Sequence, residues 1–165
     1  MFNIGDVIVY SVHGLSRIDD ICEKTVSNVT RTYYVLRPLE QPNLTISTPI
    51  DNDRAMMMEM VGREEAEDIL QSFKKPGIKW IEDAKQRMTK YQSMVNGGNR
   101  KEIAKIVNTL IRKNFELKRK NKKLYEQDRK MLTNIQNILF KELSMSLNIS
   151  AEKIDKDITS MVMGQ

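Results

Sequence analysis

Near Asp51 the hydrophobic period of this chain changes from that of strands to that of helices, and it does not change back. Strands followed by a long run of helices make an α+β chain whose two kinds of element are segregated. In the first part, Val7 and Val9 point one way and Ile8 and Tyr10 the other, so residues 7–10 read as a strand with two apolar faces. Tyr33-Tyr34-Val35-Leu36 repeats that pattern. Residues 44–48 alternate cleanly, which predicts Leu44 and Ile46 inward and Thr45 and Ser47 outward. Pro38, Pro42 and Pro49 bracket this last strand, as expected where a ladder has to stop. Residues 1–52 are therefore expected to form a small β-barrel.

Residues 53–165 are expected to be all helical. Asp51 or Asp53 can cap a short helix carrying Met56, Met57, Met58 and Met60, with Gly62 as its stop. A second helix, over 63–73, places Ala66, Ile69, Leu70 and Phe73 on one face, and Lys74-Lys75-Pro76-Gly77 breaks it. A third is predicted over 79–95 from the stripe Ile81, Ala84, Met88, Tyr91, Val95; it would carry Trp80 and Arg87 on one flank. Asn99 can cap a fourth, with Ile103, Ile106, Val107, Leu110, Ile111, Asn114 and Leu117 buried. A fifth spans 126–147, and Ser150 can cap a last short helix with Ile154, Ile158, Met161 and Val162 inward.

Charge follows the same division. Residues 1–60 hold 5 Lys/Arg against 8 Asp/Glu, while residues 61–165 hold 22 against 14. An acidic part joined to a basic one implies two surfaces with different clients. The basic charge is densest from Arg112 to Lys130, where Arg112, Lys113, Lys118, Arg119, Lys120, Lys122, Lys123, Arg129 and Lys130 stand against three acids. Such a density suits a phosphate backbone, although a solvated helix end and loop would look the same.

The order of short cues resembles one family. Gly5-Asp6, the apolar run to Tyr10 and His13-Gly14 open the chain as they open the CarD/CdnL family of bacterial transcription regulators, whose first domain also occurs in the transcription-repair coupling factor. Lys24-Thr25, Tyr33 to Leu36 and Leu44 to Pro49 follow at the family's strand spacing. Gly97-Gly98-Asn99, Arg129-Lys130-Met131-Leu132 and Glu142-Leu143 echo its helical part. The resemblance spans roughly residues 2–147.

It implies a Tudor-like barrel over residues 1–52, followed by a basic helical domain that contacts DNA over 53–165. The barrel would bind the β subunit of RNA polymerase by adding an edge strand to it, with Lys24, Thr45, Ile46 and Ser47 at the contact. Lys24 and Ser47 stand where the family often has arginine. The helical domain would meet promoter DNA at backbone and minor groove upstream of the bubble, through Trp80, Lys85, Arg87, Arg119, Lys122, Lys123, Arg129 and Lys130. Trp80 would be a minor-groove wedge. It sits about one turn from the family's usual wedge position, which falls near Ala84, and Glu82 and Asp83 follow it where arginines are usual. Packing between helices is the other reading of Trp80.

Enzymatic chemistry has little to build on. His13 is the sole histidine and Cys22 the sole cysteine, so neither a disulfide nor the usual zinc set can form within the chain, and no Ser, Cys or carboxylate has a triad motif around it. Neither a phosphate-binding nor a dinucleotide-binding glycine loop occurs. No cofactor, metal or membrane is expected, and a cytoplasmic location is the simplest reading. The competing function is a protein-interaction adaptor whose basic bundle binds an acidic partner without touching DNA. RNA binding by the barrel is disfavoured by that half's acidity.

Overall fold

The computed structural model describes residues 1–10, 13–52 and 57–164. The chain forms two compact units, Met1–Met60 and Val61–Gln165. The first is an antiparallel sheet and the second a set of five helices, so the class is α+β.

The sheet has strands β1 (Val7–Tyr10), β2 (Gly14–Val26), β3 (Val29–Pro38), β4 (Ile46–Pro49) and β5 (Met57–Glu59), in the order β4-β3-β2-β1-β5. Its centre is the long β2–β3 hairpin, closed by Ser27 and Asn28 at φ 52° and 62°. Two successive left-handed residues make the tight turn that matches the strands' own twist. A register shift between Ile18 and Asp20 bulges β2, and the extra residue, Asp19, accepts hydrogen bonds from Arg17 and Arg37. Ile8, Tyr10, Ile18, Tyr34 and Leu36 form the core on one face, with Phe2, Ile21, Ile46 and Met57 against it.

Three expectations are corrected here. The methionine run is strand, not helix: Met57, Met58 and Glu59 pair with Tyr10, Val9 and Ile8. Methionine's good helix propensity yields to tertiary context, a ladder that β1 would otherwise lack on that side; Asp53 and Met56, also part of that expected helix, lie outside the described residues. The first unit consequently runs to Met60 rather than to 52. Third, Leu44 lies exposed ahead of β4, and the position buried two residues beyond Ile46 is Thr48, whose hydroxyl accepts from the Asn52 amide. Among the described residues β4 pairs only with β3 and β5 only with β1, so both are sheet edges.

The helices are α1 (Arg63–Ser72), α2 (Ala84–Asn96), α3 (Arg100–Arg119), α4 (Glu126–Leu147) and α5 (Ala151–Met163). Gly62 starts α1 rather than ending an earlier helix. Asn99 and Ser150 cap α3 and α5 as expected, each accepting from a backbone N–H three residues on. The core is built on α3 and α4, whose Ala104, Ile106, Val107, Leu110, Leu139 and Leu143 pack with Ile69 and Phe73 of the α1 region, Tyr91 of α2, and Ile154 and Ile158 of α5.

The expected third helix is shorter than 79–95. It starts at Ala84 because the Asp83 side chain accepts from Gln86 N (2.8 Å), making Asp83 the cap. Residues 77–82 are instead a loop pinned to α3. A side chain at Gly77 would collide with Lys105 O and Thr109 Oγ1 at 2.3 and 2.4 Å, so only glycine permits this approach. Thr109 Oγ1 accepts from Ile78 N at 2.8 Å.

Candidate functional site

On the sheet, the edge strand β4 fixes what a partner could meet. Ile50 N donates to Thr32 O, which puts Thr32 and Ile50 at a hydrogen-bonded position of the ladder; alternation then gives the same position to Tyr34–Thr48 and Leu36–Ile46. The backbone groups of Ser47 therefore point away from β3, as does the carbonyl of Pro49, whose missing N–H costs nothing on an open edge. Lys24 reaches across from β2 to donate to Ser47 Oγ at 2.6 Å, passing 5.9 Å from the Tyr33 ring centroid. The structure thus brings Lys24 and Ser47 together on the outer face. Thr45 is exposed just ahead of the strand, and Ile46 packs into the sheet core.

In the helical unit, Trp80 sits on the pinned loop, half-buried against the core and bordering a cleft of mixed charge, where Lys79 and Lys90 stand with Glu82 and Glu102 around Ile78, Ile81 and Met94. The Arg87 guanidinium carbon lies 4.1 Å from its ring centroid and Lys113 Nζ 5.1 Å from it. Arg87 was expected at phosphate but is interior, 1% exposed. Its Nε and Nη2 donate to the two oxygens of Asp128 at 3.1 and 2.5 Å, and its Nη1 donates to the carbonyls of Ile81 and Glu82. Asp128 is equally buried, and its hydrogen bond holds the arginine pKa above the usual value. A side chain with all three nitrogens so engaged fastens the Trp80 loop to α2 and α4. Buried to this extent, it does not present its charge to a phosphate at the surface.

The basic cluster divides by environment. Lys118, Arg119, Lys122 and Lys123 are exposed around the end of α3 and make no ion pair among the described residues. Arg129 pairs with Glu126 at 2.5 Å and Lys130 lies 4.0 Å from the same carboxylate, so both remain on the surface with part of their field cancelled. Arg112 turns inward, donating to Asn108 Oδ1 and Phe73 O, and burial pushes its pKa down. Lys85 is exposed on the first turn of α2.

Sequence reasoning missed Asp128 and Tyr125. Asp128 lies 41 residues from its partner Arg87, a separation with no local signature. Tyr125 precedes α4, the residue 64% exposed and its ring 5.8 Å from the Arg87 guanidinium carbon. An aromatic just after Lys122-Lys123 was the available signal.

Among the described residues no group of His, Cys, Asp and Glu could hold a metal, and no helix is long and apolar enough to cross a membrane. Among the described residues the chain thus joins a sheet whose outer strands are each paired on one side to a helical unit that carries an aromatic–cation cluster. The chain belongs to the CarD family: residues 2–61 match the CarD-like/TRCF RID domain and residues 68–159 the CarD C-terminal domain. It is similar to the protein named "Putative transcription factor YdeB" of Bacillus subtilis (strain 168), 30% identical over 155 residues that cover 93% of this chain and 97% of that one.

Proposed function

We propose that this protein is a non-enzymatic regulator of transcription. Its sheet unit, a Tudor-like module, binds the β subunit of RNA polymerase, and its helical unit contacts promoter DNA upstream of the bubble. The observation that carries the reading is the pairing of two unlike surfaces in one chain. One is an open strand edge with Ser47 backbone groups outward and Lys24 bonded to its side chain, suited to strand addition. The other is the exposed set Lys118, Arg119, Lys122 and Lys123 of the helical unit, which also carries Trp80 with Lys113 Nζ 5.1 Å from its ring, suited to phosphates and to an apolar insertion at distorted steps. By holding polymerase and DNA at once, such a protein stabilises whichever promoter state presents both surfaces, and so shifts the lifetime of the open complex. Lys85 joins the phosphate contacts and Arg129 and Lys130 add weaker ones, while Arg87 acts from within by positioning Trp80.

Photo-crosslinkers placed singly at Ser47 and at Lys123 test this in polymerase–promoter complexes. The expected products are a β-subunit adduct from the first position and a DNA adduct from the second. Adducts to an acidic protein from position 123, with none to DNA, would replace this reading with that of an adaptor.

A further inference from the structure

One aromatic on this surface has no role in the reading above. Tyr125 exposes 64% of its area at the N-cap of α4 and makes no side-chain cap, a position where Ser, Thr, Asp or Asn would satisfy an orphan N–H. Its ring packs toward the same guanidinium that lies over Trp80, at 5.8 and 4.1 Å. That guanidinium is fixed by Asp128, three residues into the helix Tyr125 begins, and by the carbonyls of Ile81 and Glu82, next to Trp80 in the chain. A further bond from Gln127 Nε2 to Ala84 O ties the same two segments. Both rings are thus referred to one buried cation. Leu124 is buried beneath the basic loop, so Lys122 and Lys123 are held beside Tyr125.

We propose that Tyr125 is a second nucleic-acid-contacting ring, stacking on an unpaired base at the edge of melted DNA while Trp80 engages the adjoining step, and that Arg87 holds the two rings in one frame. This rests on the DNA-contacting reading above and adds a residue to that site. The cations beside the rings name the occupant: Lys113 Nζ lies 5.1 Å from the Trp80 ring and exposed Lys122 and Lys123 come just before Tyr125, against Glu82 and Glu102 in the Trp80 cleft and Glu126 paired with Arg129, and a π-face with cations beside it is what single-stranded segments meet on proteins that bind them. An acidic peptide would use the cations but leave an exposed tyrosine ring without a stacking partner.

The test measures binding of the full chain to a fluorescently labelled forked DNA and to a fully paired duplex of the same sequence. Tyr125→Ala should weaken fork binding between about 5-fold and 150-fold, the range of one base–aromatic stack, with duplex binding little changed. Tyr125→Phe keeps the ring and should bind the fork like wild type. Combined with Trp80→Ala, the losses should be non-additive, as for groups that act in one frame. If Trp80→Ala weakens fork binding and Tyr125→Ala does not, Tyr125 has no such role while the DNA-contacting reading survives. Strictly additive losses overturn the shared frame. A wild-type chain that binds neither DNA overturns both readings together.

Discussion

Asp128→Ala removes one side of an ion pair in which the side chains of both partners are at most 2% exposed. Coulomb attraction between exposed ions would be worth under about 1 kcal/mol, but here the loss is set by what stays behind. Arg87 would keep a full charge with no water to solvate it and only two carbonyls as acceptors. Truncating one partner of a buried pair costs about 3 to 5 kcal/mol, a fall in Tm of roughly 12 °C or more for a unit of about 100 residues. Because Trp80 is the protein's sole tryptophan and lies in the helical unit, its fluorescence during urea unfolding reports that unit alone. The two units therefore need not unfold together for the measurement to be read. Replacing both partners, Arg87→Met with Asp128→Leu, should recover most of the loss, because no charge is then buried. A cost below about 1 kcal/mol for Asp128→Ala, or a double variant no more stable than the single one, would refute the desolvation argument.

Trp80→Ala should cost about 2 kcal/mol, less than the 3 to 5 of a fully buried tryptophan because the ring is half-exposed. Its shortening of open-complex lifetime should persist at temperatures where the variant is fully folded; a functional loss that merely tracks unfolding would make the ring structural. Lys24→Glu breaks the bond to Ser47 and should weaken capture of the polymerase β subunit without moving Tm by more than a few degrees; unchanged capture would remove the β4 face from the contact. Glu142 is buried, and burial raises its pKa against the opposing pull of Arg100. The folded protein therefore keeps that proton to higher pH than the unfolded chain, so this group's contribution to stability falls as pH rises from the ordinary carboxylate range through the raised value. Glu142→Gln should flatten that slope in urea titrations made across the range, and an unaltered slope would mean the carboxyl is not perturbed.

Where side chains repeat with a period, the sequence was readable. The stripe from Ile103 to Leu117 and the caps Asn99 and Ser150 predicted α3 and the start of α5, and the fifth expected helix coincides with α4. Two failures have one cause, which is that a distant partner decided a local choice. Met57 to Glu59 have no strand pattern of their own and became β5 because β1 had an open side; residues 79–83 follow the helical stripe but are held as a loop by Thr109 and Arg87. The surface was legible only in part. The basic cluster from Arg112 to Lys130 pointed to a phosphate-binding face, yet composition treats every arginine alike and could not tell the interior Arg87 and inward-turned Arg112 from the exposed Arg119. Burial is a property of the fold, so that sorting had to wait for it.

The central claim is that one chain engages polymerase and promoter together, and the lifetime of the open complex tests it most directly. Heparin-challenged decay should be measured with wild-type protein, with Lys24→Glu, and with Lys122→Glu combined with Lys123→Glu. Wild type should change the lifetime, and each variant should lose most of that effect, the first through polymerase and the second through DNA, because the effect needs both contacts at once. A lifetime that wild type leaves unchanged, or that both variants alter as fully as wild type does, would contradict it.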